Sequence, residues 1–468
     1  MNSKVTLKEK IGYGMGDAAS SMFWKIFTFY LAIFYTDVLG ISAAAAGTMF
    51  LLTRIWDTAN DPLMGIIGDR TNTKWGKFRP YLLWVSIPFG VIGVLLFTTP
   101  DLSETGKLIY VYVTYTLMMM VYTAINVPYA SLLGVMTANS NERTSLASYR
   151  MIFAFGGSLL VVAIFQPLVG FFSKTVGVSS AYQFTMVVIG AIAVLFFMMT
   201  FSWTKERVKP SVSQQNNLKE DFKNLMKNGP WFVLLGAGVM TLIFNSVRDG
   251  VALYYFKYFI SNDIQNESSV IFSSVTIAYS TFYLFLGQAT NMLGVIMAKP
   301  ISARLGKRKT FLFAMIGAAV LSVMFYWCNK EAIVYVYVLQ ALVSFCAGMI
   351  FPLLWSMYAD TADYSEWKTG RRATGLVFSA SSMTQKLGWT LGGSITLWLL
   401  ALYGFKANMV QSPETINGIK YMLSIVPAIG ALVSAVFIYF YQLDKKTMET
   451  IERDLAIRRE NDRQLENQ

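Results

Sequence analysis

The chain has 468 residues, of which 54% are hydrophobic and only 14% charged, too few to clothe a soluble chain of this size, so lipid is the expected outer solvent. Two cysteines, Cys328 and Cys346, and no histidine exclude a disulfide scaffold, a Cys/His metal site and any histidine-assisted nucleophile. The net charge of +12 alternates from loop to loop instead of gathering on one face, which argues against a nucleic-acid partner.

Apolar stretches of about 20 residues, the length that crosses a bilayer, recur about twelve times. They predict spans near 15–38, 44–68, 81–99, 108–135, 147–171 and 181–203 in the first half. The second half predicts 231–259, 270–298, 310–328, 332–358, 373–403 and 420–442, with 270–298 the least regular. No cleavable leader is read at the N-terminus. The expected class is an all-α membrane protein with an N-terminal six-helix bundle at 1–203 and a C-terminal one at 231–442. A middle loop at 204–230 joins them, and a tail follows at 443–468. In the loop, Leu218, Phe222, Leu225 and Met226 share one helical face and predict a short amphipathic helix on the membrane surface. The tail, dense in both charges, reads as a solvated helix.

About 28 basic residues fall in one alternate set of connections, against about 5 (Lys107, Lys174, Lys330, Lys406, Lys420) in the other. Both termini are therefore expected in the cytoplasm. The basic loop GIIGDRTNTKWGKFRP at 65–80 has a weaker echo, AKPISARLGKRK, at 298–309, after the corresponding span of the second half. Such a repeat marks a six-plus-six transporter.

Gly12, Gly14 and Gly16 lie near the start of the first span. No strand precedes them and their spacing fits no phosphate loop, so they are read as sites of close helix approach. There is no GxxxxGK[ST] loop, so ATP is not expected to drive the protein directly.

The second span holds Arg54, Asp57 and Asp61 within an arc of about 60°. Charges inside a span cost about 2.5–3.5 kcal/mol each and mark a pathway or a partner. Two carboxylates one turn apart repel unless a cation, a proton or a basic group lies between them. Pro62 frees the Thr58 carbonyl beside them. With Asn60 and Thr123 they make a candidate oxygen cage for a hard monovalent ion; the competing reading is an internal salt-bridge cluster that only joins helices. In the fourth span Tyr122, Thr123 and Asn126 precede Pro128, a stretch suited either to binding solute hydroxyls or to kinking a packed helix. Arg150, at the start of the fifth span, is a gate or a surface charge. Lys386 sits mid-span in TQKLGWTLGG, where Gly388 and Gly392 permit close helix approach, and is a candidate partner for the acids of the second span. In the seventh span Arg248 and Asp249 are adjacent and read either as a local pair or as functional charges. Trp24, Tyr30 and Trp389 are stacking platforms for a sugar ring or core residues.

Several segments resemble the glycoside–pentoside–hexuronide:cation symporters, the melibiose-permease branch of the major facilitator superfamily. They are GYGMGD (12–17), YTDVLG (35–40), RIWDTANDPLMG (54–65), DRTNTKWGKFRP (69–80), NVPYASL (126–132) and ADTADYSEWKTGRR (359–372). The resemblance runs from Gly12 to about Tyr441. It implies a twelve-helix facilitator fold in a bacterial inner membrane, alternating access, and a sugar carried with sodium or a proton and no other cofactor. It places the cation on Asp57, Asp61, Asn60 and Thr123, makes Arg150 and Lys386 functionally important, and gives Asp69, Arg70, Lys77 and Arg79 to a cytoplasmic gate. Ser20 and Ser21 stand where melibiose permease has a Lys–Asp pair, and Asn126 and Ala130 where it has an acid and a tryptophan. The family's galactoside preference is therefore not carried over, and Lys25, Arg150 and Lys386 permit an acidic sugar without requiring one. The expected solute site comprises Ser20, Ser21, Trp24, Tyr122, Asn126, Arg150, Lys386 and Trp389. The alternative function is proton-coupled export of another small solute. A monomer in membrane lipid is the expected state.

Overall fold

The computed structural model describes residues 5–137, 140–207, 226–261, 269–272, 275–369 and 374–466; some side chains within these stretches, among them those of Arg54, Asp57 and Asp69, lie outside the description. The first helix, α1 (Leu7–Ile26), starts on a capping box in which Thr6 and Glu9 satisfy each other's backbone N–H. It continues through two wider π-helical turns, Phe27–Leu31 and Phe34–Val38. Ser42 caps α2 (Ala43–Arg70) and Ser103 caps α5 (Glu104–Met136), with the short α3 (Arg79–Trp84) and α4 (Ser86–Leu96) between them. The long α6 (Ser140–Trp203) is broken at Gly177, whose φ of 80° only glycine adopts readily, and so holds two crossings.

Then follow α7 (Gly229–Tyr255) with a π-helical end (Phe256–Ile260), α8 (Tyr279–Leu305), α9 (Lys307–Met324), α10 (Ile333–Thr369) and α11 (Thr374–Leu402). The chain closes with α12 (Pro413–Leu423), α13 (Ile425–Tyr439) and α14 (Lys445–Glu466). Among the described residues eight helices are long and apolar enough to cross a membrane, and one of them, Ser145–Trp203, has 59 residues.

Two expectations need correction. The eighth span does not begin at 270. Residues 269–272 and 275–278 form β1 and β2, an antiparallel pair with Ser269 opposite Ala278, and the helix starts only at Tyr279. The stretch is rich in Val, Ile and Thr, which favour extended backbone. The tail is helical but not solvated all round: Met448, Ile451 and Leu455 are buried on one face, α14 packs on α10, and Trp367 donates to Asp454 at 3.1 Å. The expected surface helix of the middle loop lies outside the described residues except at Met226, which is exposed.

The chain divides into two compact units. One comprises Met1–Val212, Asp249–Gln288 and Ser394–Ile419; the other comprises Ser213–Arg248, Ala289–Gly393 and Lys420–Gln468. In the first, α1 packs chiefly on α6, α2 on α5, and α4 on both α5 and α6. The glycines of α1 make this possible. A methyl on Gly12 would lie 2.6 Å from Trp203 Cβ, one on Gly14 2.5 Å from Phe153 Cδ2, and one on Gly16 2.6 Å from Tyr129 Cε2. In lipid, where water does not drive helices together, such close backbone approach is what holds them. In the second unit α9 packs on α10 and α13. There Gly388 and Gly392 admit Leu242 and Ser246 of α7, as expected.

Candidate cation and solute site

Asp61 lies on α2 and Thr123, only 2% exposed, on α5; Thr123 Oγ1 donates to Asp61 Oδ1 at 3.0 Å. The bond ties the acid-bearing helix to the one that carries Pro128 in its interior. Asn60 is half-buried beside Asp61 in sequence, and the Asp57 side chain lies outside the described residues.

One turn further toward the basic side of α5, Asn126 Oδ1 lies 2.7 Å from Ser20 Oγ of α1, while Asn126 Nδ2 donates to the Tyr122 carbonyl at 2.9 Å. The Tyr122 ring lies 5.9 Å from that of Trp24. Ser20, Trp24, Tyr122 and Asn126, expected as solute ligands from separate spans, are thus brought together by α1 and α5. Ser21 is half-buried on the same helix. Tyr30 is a core residue: it is wholly buried and stacked on Phe165 at 4.0 Å.

Arg150 donates from Nε to Asp17 Oδ2 at 3.0 Å and from Nη2 to Oδ1 at 3.3 Å, and its guanidinium lies 5.2 Å from the Tyr129 ring. It is an internal ion pair, not a surface charge. Sequence reasoning did not place Asp17 in the site, although it lies one turn before Ser21 on the same face of α1. The adjacent Arg248 and Asp249 face different partners. Arg248 donates to Gln340 Oε1 at 2.5 Å and to Ser322 at 3.2 Å in the second unit. Asp249 faces Lys25 of α1 in the first, with Nζ to Oδ2 at 3.8 Å. Lys386 and Trp389 lie on α11 in the second unit, both partly accessible; the Trp389 carbonyl accepts from Ser246 Oγ at 2.9 Å.

The basic loop after α2 is organised by a residue that sequence reasoning missed. The Glu206 carboxylate accepts from the backbone N–H groups of Lys77, Phe78 and Arg79 at 2.9, 2.8 and 2.9 Å. Gly76, at φ 111°, lets it in, since a methyl there would lie 2.5 Å from Glu206 Cδ. Arg79 donates to the Phe201 carbonyl at 2.7 Å and to that of Trp75 at 3.2 Å. Arg70 is exposed, and the Asp69 side chain lies outside the described residues. The only signal for Glu206 was an acid standing alone among Lys205, Arg207 and Lys209.

Residues 12–445 match the family model described as MFS/sugar transport protein. The chain is 36% identical over 454 residues to the putative glycoside/cation symporter YagG of Escherichia coli (strain K12), covering 97% of this chain and 95% of that one. It is 36% identical to the isoprimeverose transporter of Lactiplantibacillus pentosus (94% and 90% covered). It is 32% identical to a glucuronide carrier protein homolog of E. coli (99% of each chain covered). Among solved structures, a bacterial homolog to the human lysosomal transporter Spinster superposes with a TM-score of 0.68 at 11% identity, over 95% of this chain and 97% of that one, and so shares the fold.

Proposed function

We propose that this chain, which belongs to the MFS/sugar transport protein family and is a secondary active sugar:cation symporter of the inner membrane, holds its coupling cation at Asp61, Thr123, Asp57 and Asn60. The observation that carries this reading is the 3.0 Å bond from Thr123 to Asp61, which unites the membrane acid with a hydroxyl from a second helix. A sodium ion or a proton arriving there removes the repulsion between the two carboxylates and draws α2 and α5 together. The solute binds alongside, on Ser20, Ser21, Trp24, Tyr122, Asn126 and Arg150, and Lys386 and Trp389 of α11 are further candidate solute ligands. The empty and doubly loaded protein exchanges between its two faces, whereas the singly loaded protein does not.

One charge moving through about 100 mV supplies about 2.3 kcal/mol, enough for roughly fiftyfold accumulation. The alternating basic loops and the order of the helices support twelve crossings with both termini in the cytoplasm. A bundle of this kind is complete as a monomer in lipid. The loop at 69–79, held by Glu206, braces the cytoplasmic gate through Asp69, Arg70, Lys77 and Arg79.

The test is uptake of glycosides into proteoliposomes under a sodium gradient, a pH gradient or neither. Acceleration by one gradient identifies the coupling ion. Asp61→Asn is expected to abolish the gradient's effect while the protein remains inserted, and fully coupled uptake by that variant would overturn the site.

A further inference from the structure

Resting on the symporter reading, we propose that Lys25 and Asp249 are a specificity pair that faces the transported solute and selects a neutral, hydroxyl-rich glycoside over an anionic sugar. The first observation is the accessible face of α1. From Gly12 to Leu31 its residues are buried except Met15, Asp17, Ser21, Trp24, Lys25 and Thr28. The last five recur at helical spacing and form one stripe, polar or aromatic throughout. Charged groups on such a stripe do not face hydrocarbon; they face water or a polar ligand. On α7, between Phe244 and Ile260, the partly accessible residues are Asn245, Asp249 and Lys257, all polar.

The second observation is how the two charges meet. Lys25 Nζ lies 3.8 Å from Asp249 Oδ2, with side-chain exposures of 16% and 23%. A direct charge-assisted bond closes to about 2.7–2.9 Å. The ammonium also sits 5.0 Å from the centre of the Phe29 ring, which fixes its direction. A donor and an acceptor held this far apart match two neighbouring sugar hydroxyls, one accepting from Nζ and the other donating to the carboxylate.

The third observation is charge balance. Along the stripe Lys25 faces Asp249, and the neighbouring Arg150 is bonded to Asp17 at 3.0 Å. Among the described residues of the stripe and its neighbours, the two cations Lys25 and Arg150 are thus each faced by a carboxylate. An acid entering there meets Asp249 as a like charge or must displace it from Lys25. Either way the rejection is built from a repulsive element. Although Lys25 and Arg150 taken alone permit an acidic sugar, their partners Asp249 and Asp17, which only the tertiary structure supplies, oppose one.

The experiment is cation-gradient uptake by the reconstituted full chain, using matched methyl β-glycosides: glucoside with glucuronide, and galactoside with galacturonide. Wild type is expected to prefer a neutral member at least tenfold over its acid. Asp249→Asn, which removes the carboxylate facing Lys25, is expected to narrow that ratio at least tenfold. Lys25→Met should weaken neutral uptake without any gain for the acid. The exchanged pair Lys25→Asp with Asp249→Lys keeps the neutral balance, guards against loss of folding in the single variants, and should keep the neutral preference. A wild type that carries the acid better, or an Asp249→Asn variant that inserts normally with an unchanged ratio, overturns the proposal and leaves the symporter reading standing. If no glycoside responds to either gradient, the glycoside reading falls and this inference falls with it.

Discussion

Lys257 Nζ lies 2.6 Å from Asp37 Oδ2, and both residues occupy the π-helical turns that end their helices, α1 and α7. The wider turn alters the direction in which a side chain leaves the helix, a feature often found at functional positions. Around the pair, Tyr258 donates to the same carboxylate oxygen, Thr36 donates to the other at 2.7 Å, and Lys257 also reaches Asn408 Oδ1 at 2.7 Å. Asn408 in turn donates to the Asp37 carbonyl. The cluster clasps the ends of α1 and α7 to the loop after α11, on the side opposite the basic loops.

Lys257→Met should loosen that clasp by about 1–3 kcal/mol, the cost of leaving a largely buried carboxylate without its cation, reduced by partial exposure. At 1.4 kcal/mol per tenfold, thiol labelling of Leu39→Cys should accelerate at least fivefold, with Cys328 and Cys346 replaced by serine. Leu39 is 1% exposed, so it reports only opening. Unchanged labelling would mean that the clasp does not hold this side closed.

Thr123→Ala removes the hydroxyl bonded to Asp61, and Thr123→Ser keeps it. Loss of a hydrogen bond to a charged group is worth about 1.5–3 kcal/mol. The alanine variant should therefore need roughly ten- to a hundredfold more cation for half-maximal uptake, with the serine variant close to wild type. Equal behaviour of the two would show that the methyl group, not the hydroxyl, matters there.

Arg150 and Asp17 should be strongly non-additive. Asp17→Asn or Arg150→Gln alone leaves a charge of the opposite sign without its partner, at about 1–3 kcal/mol for a partly exposed pair. The double variant should be more stable than either single one in thermal unfolding. Additive losses would indicate that the pair does not act as a unit.

Gly76→Ala should destabilise the basic loop by about 1–3 kcal/mol, because alanine at φ 111° is strained and its methyl meets the Glu206 carboxylate. Glu206→Gln keeps the shape but weakens three charge-assisted bonds to the Lys77, Phe78 and Arg79 amides. It should lower thermal stability by a smaller amount than Gly76→Ala. Hydrogen exchange at 75–80 should rise in both variants; protection equal to wild type would refute the role given to Glu206.

The all-α membrane class was legible from hydropathy because lipid requires about 20 apolar residues in a row and every backbone group bonded within the helix. The acids of α2 stood out for the same reason, since charge in hydrocarbon is rare enough to be read one residue at a time. Close approach at Gly12, Gly14 and Gly16 was legible too, from the lack of side chains. Residues 269–278 were misread because a short apolar run rich in Val, Ile and Thr has no period that separates a strand from the start of a helix. What the sequence could not hold was partnership. Asp249 stands next to Arg248 in the chain yet faces Lys25, Asp37 is matched by Lys257, and the loop at 77–79 is held by Glu206. Composition and period determine which faces of a helix accept lipid. Which charge neutralises which depends on the close approach of helices distant in sequence, and that was decided only when the chain packed.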